Sequence, residues 1–291
     1  MADSGHRYVH PSGGPFGRLL ERLVSCRSLL AARRAVMSRM PFLKLRSDVS
    51  DVVYCTWMVD VDRARALVPA GVELHEWDGK TPFTILTYAH GHFGPELAGP
   101  LRALFPSPLQ SNWRLYVARV QGVAVHEPTV YFVMNMMSQL LYTVGSRLFS
   151  DALPSHQPRV FVHRRDNDCY LTRIEAGTGS AVDFACTATQ VDARTLPERF
   201  QRPFGTWQAA ADFICRQDVA IVENPQTRRL AMARIDLPVA FDSLVPLRAT
   251  EIANPWLAPL GATEAPLCFA LPRVAFRVLA ETLLPAPARG A

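Results

Sequence analysis

Lysine is nearly absent from this sequence of 291 residues, because Lys44 and Lys80 are the only lysines among its 31 basic residues. Covalent catalysis through a Schiff base needs a primary amine with a lowered pKa. Only two side chains are therefore available for that chemistry. Lys80 lies in a predicted hairpin turn and Lys44 lies near the N-terminal segment, so neither position favours a catalytic amine.

Long apolar runs are also absent. No stretch reaches about 18 consecutive apolar residues, so we expect no transmembrane helix. The first residues contain no apolar core followed by a small-residue cleavage site, so we expect no secretory signal. The composition is 49% hydrophobic and 20% charged, which is ordinary for a globular protein with a sizeable core. These features predict a soluble cytoplasmic protein.

The cysteines form no C-x-x-C pair, although the chain has six. Their spacing indicates neither a zinc site nor a redox motif nor a compact disulfide framework. Buried, reduced thiols in a cytosolic protein are the simplest interpretation. The six positions are Cys26, Cys55, Cys169, Cys186, Cys215 and Cys268.

Several catalytic and binding motifs are missing. The sequence has no glycine-rich phosphate loop, no G-x-S-x-G elbow and no H-E-x-x-H. We therefore expect no cofactor and no metal. One weak alternative is a metal site at His90 and His92, which lie two apart on a presumed strand. That site would need a third ligand from elsewhere in the chain, and Gly91 indicates a bend or bulge instead.

The positive charge is concentrated at the N-terminus. Residues 1–46 carry nine Lys and Arg side chains against Asp3 and Glu21, whereas the whole chain has a formal net charge of +5. The rest of the chain is therefore slightly acidic. A basic isoelectric point does not indicate a nucleic-acid partner in this case.

Residues 1–15 lack any period, so we expect them to be disordered or loosely held. Residues 16–40 combine apolar residues at helical spacing with arginines, which predicts one basic amphipathic helix ended by Pro41. Such a helix could lie on an anionic membrane surface. The favoured alternative is that it packs on its own domain or on a partner subunit, with solvated arginines.

Short extended segments dominate from Asp51 onwards, and turn residues separate them. Asp78-Gly79, Asp166-Asn167 and Asn224-Pro225 each predict a hairpin. Helices are predicted over residues 62–67, 138–149 and 207–216. Residues 267–281 are predicted to form a last long strand or a strand that continues into a helix. The chain therefore belongs to the α+β class, mainly β, and we expect an antiparallel barrel or sandwich with a few peripheral helices. Residues 47–291 are predicted to form one β-rich domain after the N-terminal segment 1–46.

Four segments resemble the acetoacetate-decarboxylase-like superfamily, and more closely its bacterial YqjF-like branch, domain of unknown function 2071. No segment is specific alone, but their order and spacing are similar over roughly residues 50–250. The resemblance implies the antiparallel barrel of that superfamily and a small organic acid as ligand. The segments are VVYCTWMVDVDRARALVPAGVEL, WDGKTPFTIL, SNWRLYV from Ser111, and the run from Val130 to His156.

The chain departs from these family patterns at several places. Gly145-Ser146-Arg147 stands where the decarboxylase has Gly-Arg-Glu, and Ser155-His156 stands where its Schiff-base lysines would follow Pro154. Gln110 replaces an acidic residue of the YqjF-like branch. Residues 235–238 replace that branch's His-Pro-Pro-Trp-like segment. The resemblance therefore does not imply Schiff-base chemistry in this chain.

The strand after Gln110 carries the main candidate site. Asn112, Arg114 and Tyr116 alternate onto one face, which we expect to point into the barrel lumen. The opposite, apolar face is expected to pack under helices. A guanidinium in a low-dielectric cavity must be paired. A ligand carboxylate held by Arg114 is one partner, and an internal Asp or Glu is the alternative that would make Arg114 structural.

Other candidates lie further along the chain. Asn135 is expected to share a face with Tyr131 and Val133, where it could orient a ligand or, as favoured, bond to neighbouring backbone. His156 is the candidate for acid–base chemistry because an imidazole titrates near neutrality, with a surface or loop histidine as the favoured alternative. Arg147 is expected to pair with an acid between its helix and the barrel.

The sequence leaves three functions open. The first is an apolar cavity that holds a small organic acid through Arg114, Asn112 and Tyr116, with His156 transferring a proton in a lyase, hydratase or isomerase. The second is a non-catalytic binding or scaffold protein, attached to a membrane surface through residues 16–40. The third is a barrel filled by its own side chains. The superfamily resemblance also implies a homo-oligomer.

Overall fold

The computed structural model describes residues 6–124 and 126–285. It contains six α-helices in this part of the chain and two short 3-10 helices, Glu96–Leu104 and Phe241–Ser243. The α-helices are α1 Pro15–Val24, α2 Arg27–Met37, α3 Val61–Arg65, α4 Leu140–Phe149, α5 Glu198–Phe204 and α6 Trp207–Cys215.

Thirteen strands form one sheet. The mainly β prediction is confirmed. The strands are β1 Leu45–Asp60, β2 Val72–Leu74, β3 Lys80–Ala89, β4 Gly94–Pro95, β5 Leu109–Val120, β6 Thr129–Met137, β7 Val160–Asp166, β8 Cys169–Glu175, β9 Phe184–Gln190, β10 Val219–Glu223, β11 Leu230–Asp236, β12 Val245–Ala253 and β13 Leu267–Leu283.

The sheet runs in the order β4-β1-β3-β5-β6-β10-β11-β13-β12-β9-β8-β7, and β13 also pairs with β1. This last pairing joins β1, β3, β5, β6, β10, β11 and β13 in a ring of hydrogen-bonded neighbours. The other strands continue away from the ring, so the pairings alone do not establish the predicted closed barrel. Strands β6 and β10 pair in parallel, which their long connection through α4 and α6 permits.

The predicted hairpin turns occur where sequence indicated them, with changes in detail. Asp78 and Gly79 both have positive φ, and Trp77 and Lys80 exchange backbone hydrogen bonds of 2.9 Å. However, β2 pairs with β5 and not with β3. The turn between β7 and β8 is centred one residue later than predicted, because Asp166 pairs with Cys169.

Strand β5 separates two apolar clusters. Trp113 and Leu115 contribute to one cluster, whose other members come mostly from strands, whereas Tyr116 contributes to a second cluster that includes α5 and α6. The alternation along β5 is therefore as predicted. The expectation that its apolar face packs under helices is wrong, since α6 covers the face that carries Arg114.

Two irregularities change which side chains share a face. The register between β5 and β6 shifts after Trp113, so that Asn112 lies opposite Asn135 while Arg114 lies opposite Phe132. The register between β11 and β13 shifts in the same way between Arg234 and Ile235. An extra residue in one strand reverses the alternation beyond it. Asn135 therefore shares a face with Asn112 and not, as expected, with Tyr131.

The N-terminal segment forms two helices where the sequence predicted one. The break falls at Ser25 and Cys26, in a stretch of Val, Ser and Cys residues with low helix propensity. Leu30 is buried, and both α1 and α2 pack against α4. The two helices are therefore docked on the β-rich part of the same chain.

Residues 6–14 differ from the expected loose N-terminal start, of which residues 1–5 lie outside the described part. Tyr8 is buried, and the backbone of Val9 and Pro11 accepts hydrogen bonds from the segment 178–180. Within the described residues, no helix has both the length and the apolar character needed to cross a membrane.

Candidate functional site

A cavity of about 510 Å³ lies between the ring of strands, α4 and the N-terminal segment. Its wall is largely aliphatic and aromatic. A few polar side chains interrupt this wall, and they come from β1, β3, β5, β13, α4 and the segment after α6. These polar residues are Tyr54, Tyr88, Gln110, Asn112, Arg114, Tyr142, Ser146, Ser150, Gln217 and Glu281.

Arg114 is the only arginine or lysine among the described residues in this wall. Its side chain is 1% exposed. Its Nη2 donates to the backbone oxygen of Ile214 at 2.6 Å, its Nη1 donates to Oε1 of Gln217, and its Nε donates to the Tyr116 hydroxyl at 3.4 Å. An arginine carries five N–H donors. These contacts use three of them, which leaves two for a further acceptor.

The charge of Arg114 is only partly compensated. In the described part of the chain, no carboxylate oxygen lies within 4.0 Å of it. The carbonyl of Ile214 belongs to the last turn of α6, and a helix C-terminus carries roughly half a negative charge. Burial acts to lower the pKa of Arg114, but Tyr116 and Tyr54 beside it raise the pKa, so the guanidinium stays charged.

The amide network next to Arg114 has one unused acceptor. Asn135 Oδ1 accepts from Asn112 Nδ2 at 2.9 Å and from Gln110 Nε2 at 2.6 Å, and its own Nδ2 donates to Ser155 Oγ at 2.7 Å. Asn112 Oδ1 has no partner although it is buried. A buried oxygen without a donor is costly. Asn112 Oδ1 is therefore the acceptor of this network that remains available for a further hydrogen bond.

Glu281 is the acidic side chain of the cavity wall. The register shift of β13 turns it towards the face of Val278 and Phe276, which also line the cavity. Its carboxyl accepts from Ser150 Oγ at 2.7 Å and from the backbone N–H groups of Asp151 and Ala152. Burial raises its pKa above the ordinary value, against the effect of the Ser150 hydrogen bond.

Four of the positions at which this chain departs from the family patterns lie in the cavity wall. Gln110, Ser146, Ile235 and Leu237 all line it. At these positions the resemblance implies acidic or basic residues, or a histidine- and tryptophan-containing segment. The cavity of this chain is therefore less charged than the resemblance implies. Its chemistry is limited mainly to Arg114, the amides and Glu281.

The structure divides the predicted site residues into two groups. Asn112 and Arg114 lie in the cavity wall. Tyr116 and Asn135 lie behind it, where each bonds to a wall residue. The partners of the Asn135 side chain are side chains and not the backbone groups that we favoured.

His156 is buried outside the described wall of the cavity. Its Nδ1 lies 2.6 Å from Ser180 Oγ, and its Nε2 lies 3.1 Å from Arg147 Nη2. Its backbone pairs with Asn135 and Met137 at the end of β6. His156 therefore lies in the loop between α4 and β7 that the favoured alternative allowed, but it is buried and not at the surface. Its acid–base role remains a prediction without support from the cavity.

Arg147 does not meet the acid that we expected, as far as the described residues show. It donates to the backbone oxygens of His6, Pro154 and Ser155 and lies over the ring of Tyr8. Burial lowers its pKa to about 9. These contacts fasten residues 6–8 to α4.

The remaining sequence candidates lie apart from the cavity wall. Lys80 is 3.4 Å from Asp60, and neither Lys80 nor Lys44 belongs to the described wall. His90 is buried between Ser47 and Gln110, whereas His92 is exposed. In the described part, no group of three or more His, Cys, Asp or Glu side chains could hold a metal ion.

Four apolar residues of the cavity wall are also exposed, so the cavity opens to the surface beside them. Leu43, Phe105, Leu141 and Phe149 line the cavity and are also exposed. We call these four residues the mouth.

Gly91 lies where two backbone segments approach closely. Its backbone oxygen accepts from the Asp48 N–H at 3.1 Å, and a Cβ on it would lie 2.6 Å from the Asp48 oxygen. The predicted bend at Gly91 has this close approach as its cause.

Sequence reasoning missed three parts of the site. Glu281 lies on the cavity face only because of a register shift, for which the sequence gives no signal. Gln217 follows α6 and becomes relevant only through the packing of that helix. Met37 and Phe42 belong to the N-terminal segment, which the sequence separated from the β-rich domain, yet both line the cavity. Only the amphipathic pattern of residues 16–40 could have indicated such packing.

Comparison with known proteins gives a family match and a fold match. The family model DUF2071, described as "Uncharacterized conserved protein", matches residues 46–216. None of the curated proteins compared with the chain matches its sequence.

Several solved structures share the fold. An acetoacetate decarboxylase-like enzyme from Sphingomonas wittichii RW1 has a TM-score of 0.58 at 12% identity, over 84% of this chain and 94% of that chain. The enduracididine biosynthesis enzyme MppR complexed with pyruvate has a TM-score of 0.56 at 12% identity. The match covers 84% of this chain and 91% of MppR. Acetoacetate decarboxylase from Legionella pneumophila has a TM-score of 0.56 at 10% identity. The match covers 85% of this chain and 91% of the decarboxylase. Identities this low establish the fold alone.

Proposed function

The chain belongs to the DUF2071 family, and on this premise we propose that it binds a carboxylic acid with a long apolar part in its cavity. The carboxylate binds Arg114, and the apolar part extends towards the mouth. The observation that carries the proposal is the buried guanidinium with two unused N–H donors in a cavity with a mostly apolar wall. A ligand carboxylate supplies the missing countercharge through two parallel hydrogen bonds.

The size of the cavity indicates the length of the acid. A cavity of about 510 Å³ lies within the range of roughly 300–1,000 Å³ that is typical of pockets for drug-sized ligands. Pyruvate, the ligand of one structural neighbour, is much smaller. The volume and the apolar wall favour a medium-chain or long-chain acid over a short keto acid.

The unused oxygen of Asn112 adds a preference. Alternate residues of a strand lie about 7 Å apart on one face. An acid whose carboxylate binds Arg114 can therefore direct a hydroxyl near its head group towards Asn112 Oδ1. We propose a hydroxylated acid as the preferred ligand, because this hydrogen bond removes the cost of a buried oxygen without a donor.

The closed barrel belongs to the same proposal. A closed barrel formed by the ring of β1, β3, β5, β6, β10, β11 and β13 would surround the cavity, and its backbone hydrogen bonds would be protected from solvent. Hydrogen exchange measured along all seven strands tests this. Uniformly slow exchange supports closure, and fast exchange along β1 and β13 would contradict it.

A second candidate function is proton transfer by Glu281. The support is its position in the cavity wall together with its raised pKa. An enzyme of this kind would exchange protons of the bound acid with solvent. Mass spectrometry of decanoate and 2-decenoate recovered from D₂O tests this. Incorporation that depends on Glu281 supports catalysis, and its absence leaves binding as the function.

Calorimetric titration with decanoate and with decanol tests the main proposal. We expect decanoate to bind the wild-type protein and decanol to bind much more weakly, because only the acid supplies a countercharge. Arg114→Leu should lose decanoate binding. Arg147→Leu is the matched control, since it removes a buried arginine outside the described wall of the cavity. Equal affinities of the wild-type protein for decanoate and decanol would refute the proposal. This comparison does not depend on whether the two variants fold.

A further inference from the structure

The exposed large apolar residues of the described chain are confined to the segments that form the mouth. Every exposed large hydrophobic side chain lies in one of three segments, which are residues 16–43, 97–105 and 141–149. Each of these segments contributes to the mouth, the first only through Leu43. Scattered exposed hydrophobic residues are normal, but their concentration in one region indicates an interaction surface.

Helix α1 presents its apolar face outwards. Phe16, Leu19 and Leu23 recur at helical spacing, and Phe16 and Leu19 are 59% and 63% exposed. The residues that α1 buries are Gly17 and Val24. A surface helix of a globular protein normally buries its apolar stripe. The orientation of α1 is the reverse, which is typical of helices that lie in the boundary of a membrane.

The 3-10 segment Glu96–Leu104 adds exposed leucines directly before the mouth residue Phe105. Leu97, Leu101 and Leu104 are 80%, 65% and 82% exposed. The N–H of Glu96 donates to the oxygen of Lys44 at 2.8 Å, so this segment is hydrogen-bonded to the chain that follows α2. Helix α4 contributes Leu141 and Phe149 and contacts both α1 and α2. The apolar residues therefore surround the mouth on several elements.

Unpaired cations accompany these apolar residues. Five basic side chains of the N-terminal segment are exposed and have no acidic partner within 4.0 Å in the part of the chain that the structure describes. By contrast, Arg33 and Arg34 of the same segment pair with Asp151. The five unpaired cations are Arg18, Arg22, Arg27, Arg39 and Lys44.

We propose that this surface, which we call the docking face and which comprises residues 16–44, 97–105, Leu141 and Phe149, binds an anionic lipid bilayer. Its apolar side chains enter the boundary between headgroups and acyl chains, while its cations bind anionic headgroups. A second copy of this chain is a poorer partner, because a symmetric contact would bring the same cations against each other. The mouth then faces the bilayer.

This arrangement gives the cavity a source of ligand. A long-chain acid dissolves in the bilayer and would pass into the apolar cavity without crossing water. This step rests on the proposed function, whereas the docking itself does not. Failure of the acid-binding proposal can be distinguished from failure of the docking proposal. Acid binding in solution depends on Arg114, whereas vesicle binding depends on residues outside the cavity wall.

Co-sedimentation of the full chain with vesicles tests the docking face. We expect binding to vesicles of phosphatidylcholine mixed with phosphatidylglycerol, weak binding to phosphatidylcholine alone, and loss of binding at high salt because counterions screen the headgroups. Leu19→Ser/Leu97→Ser/Leu101→Ser changes only exposed residues outside the cavity wall. It should weaken vesicle binding by at least about tenfold and leave decanoate binding unchanged.

Two double variants that each remove two positive charges separate the effect of cations in the docking face from the effect of net charge on vesicle binding. Arg18→Gln/Arg22→Gln should weaken binding to the mixed vesicles by at least about tenfold. Arg164→Gln/Arg165→Gln removes two exposed arginines from β7 and should have little effect. Equal losses in both pairs would refute the docking face. The absence of binding to mixed vesicles would also refute it. A dimer in sedimentation equilibrium that dissociates in the variant Leu19→Ser/Leu97→Ser/Leu101→Ser would refute it as well, because the face would then bind a second copy of the chain.

Discussion

The guanidinium of Arg114 donates to the side-chain oxygen of Gln217, a neutral group, where a buried arginine ordinarily meets a carboxylate. The C-terminus of α6 supplies a second neutral acceptor through Ile214. Arg114 is thus held in position by groups that do not neutralise its charge. A structural arginine paired with an internal acid would leave nothing for a ligand, whereas this arrangement leaves both charge and N–H donors.

Asn112 should determine the preference for hydroxylated acids. Because its Oδ1 is buried without a donor, 3-hydroxydecanoate should bind the wild-type protein more tightly than decanoate by about 1 kcal/mol, the net value of one hydrogen bond. Asn112→Leu should abolish the difference between the two acids. Calorimetric titration measures both affinities. A preference that persists in Asn112→Leu would exclude Asn112 as the acceptor.

Glu281 should make stability depend on pH from its ordinary pKa of 4.5 upwards. Its folded-state pKa is raised, so the stability that it contributes is fully present below pH 4.5 and is lost as the pH rises through the folded-state value. Glu281→Gln keeps acceptors for the backbone N–H groups and carries no charge. Urea unfolding should show the variant gaining on the wild type as the pH increases. A constant difference would contradict the raised pKa.

His90 should have the opposite effect. Burial lowers its pKa from 6.5 to about 4. The neutral form therefore contributes stability that is present above pH 6.5 and is lost as the pH falls through 4. The free energy of unfolding should fall by about 3 kcal/mol through this loss. His90→Gln can still donate to Gln110, and it should flatten this part of the profile in urea unfolding. An NMR titration that gives His90 an ordinary pKa would contradict the prediction.

Asp151 should hold α2 against the β-rich part of the chain. Its carboxylate accepts from Arg33 and Arg34, whose side chains are 11% and 20% exposed. Asp151→Asn should lower the free energy of unfolding by about 2 kcal/mol, between the values for exposed and buried ion pairs. Trypsin should then cleave within residues 18–39 sooner.

Asp62→Asn is the matched control for this prediction. It removes a carboxylate from an exposed pair with Arg65, which should cost less than about 1 kcal/mol. If Asp151→Asn and Asp62→Asn had equal effects on stability and on cleavage, the Asp151 pairs would not hold the helix.

The sequence predicted the strands and turns well because alternation and turn residues act locally. The faces of β5 followed from alternation alone, which correctly grouped Asn112, Arg114 and Tyr116. Faces beyond a register shift could not be predicted, since one extra residue reverses the alternation. For this reason Asn135 was expected on the wrong face and Glu281 was missed.

Long-range packing limited the rest of the prediction. The composition of residues 16–40 indicated an amphipathic helix, but not that α2 docks through Asp151 or that Met37 lines the cavity. His156 attracted attention as a titratable group in a region that resembles the decarboxylase pattern. Its contacts with Arg147 and Ser180 depend on segments that are distant in sequence.

The pKa of a bound acid tests the central claim most directly. Decanoate labelled with ¹³C at its carboxyl carbon reports its own ionisation by NMR while it is bound. If Arg114 binds the carboxylate, the cation stabilises the ionised form, and the pKa of bound decanoate should lie below that of free decanoate. If the acid merely dissolves in an apolar cavity, burial raises its pKa instead. A raised pKa would contradict the account.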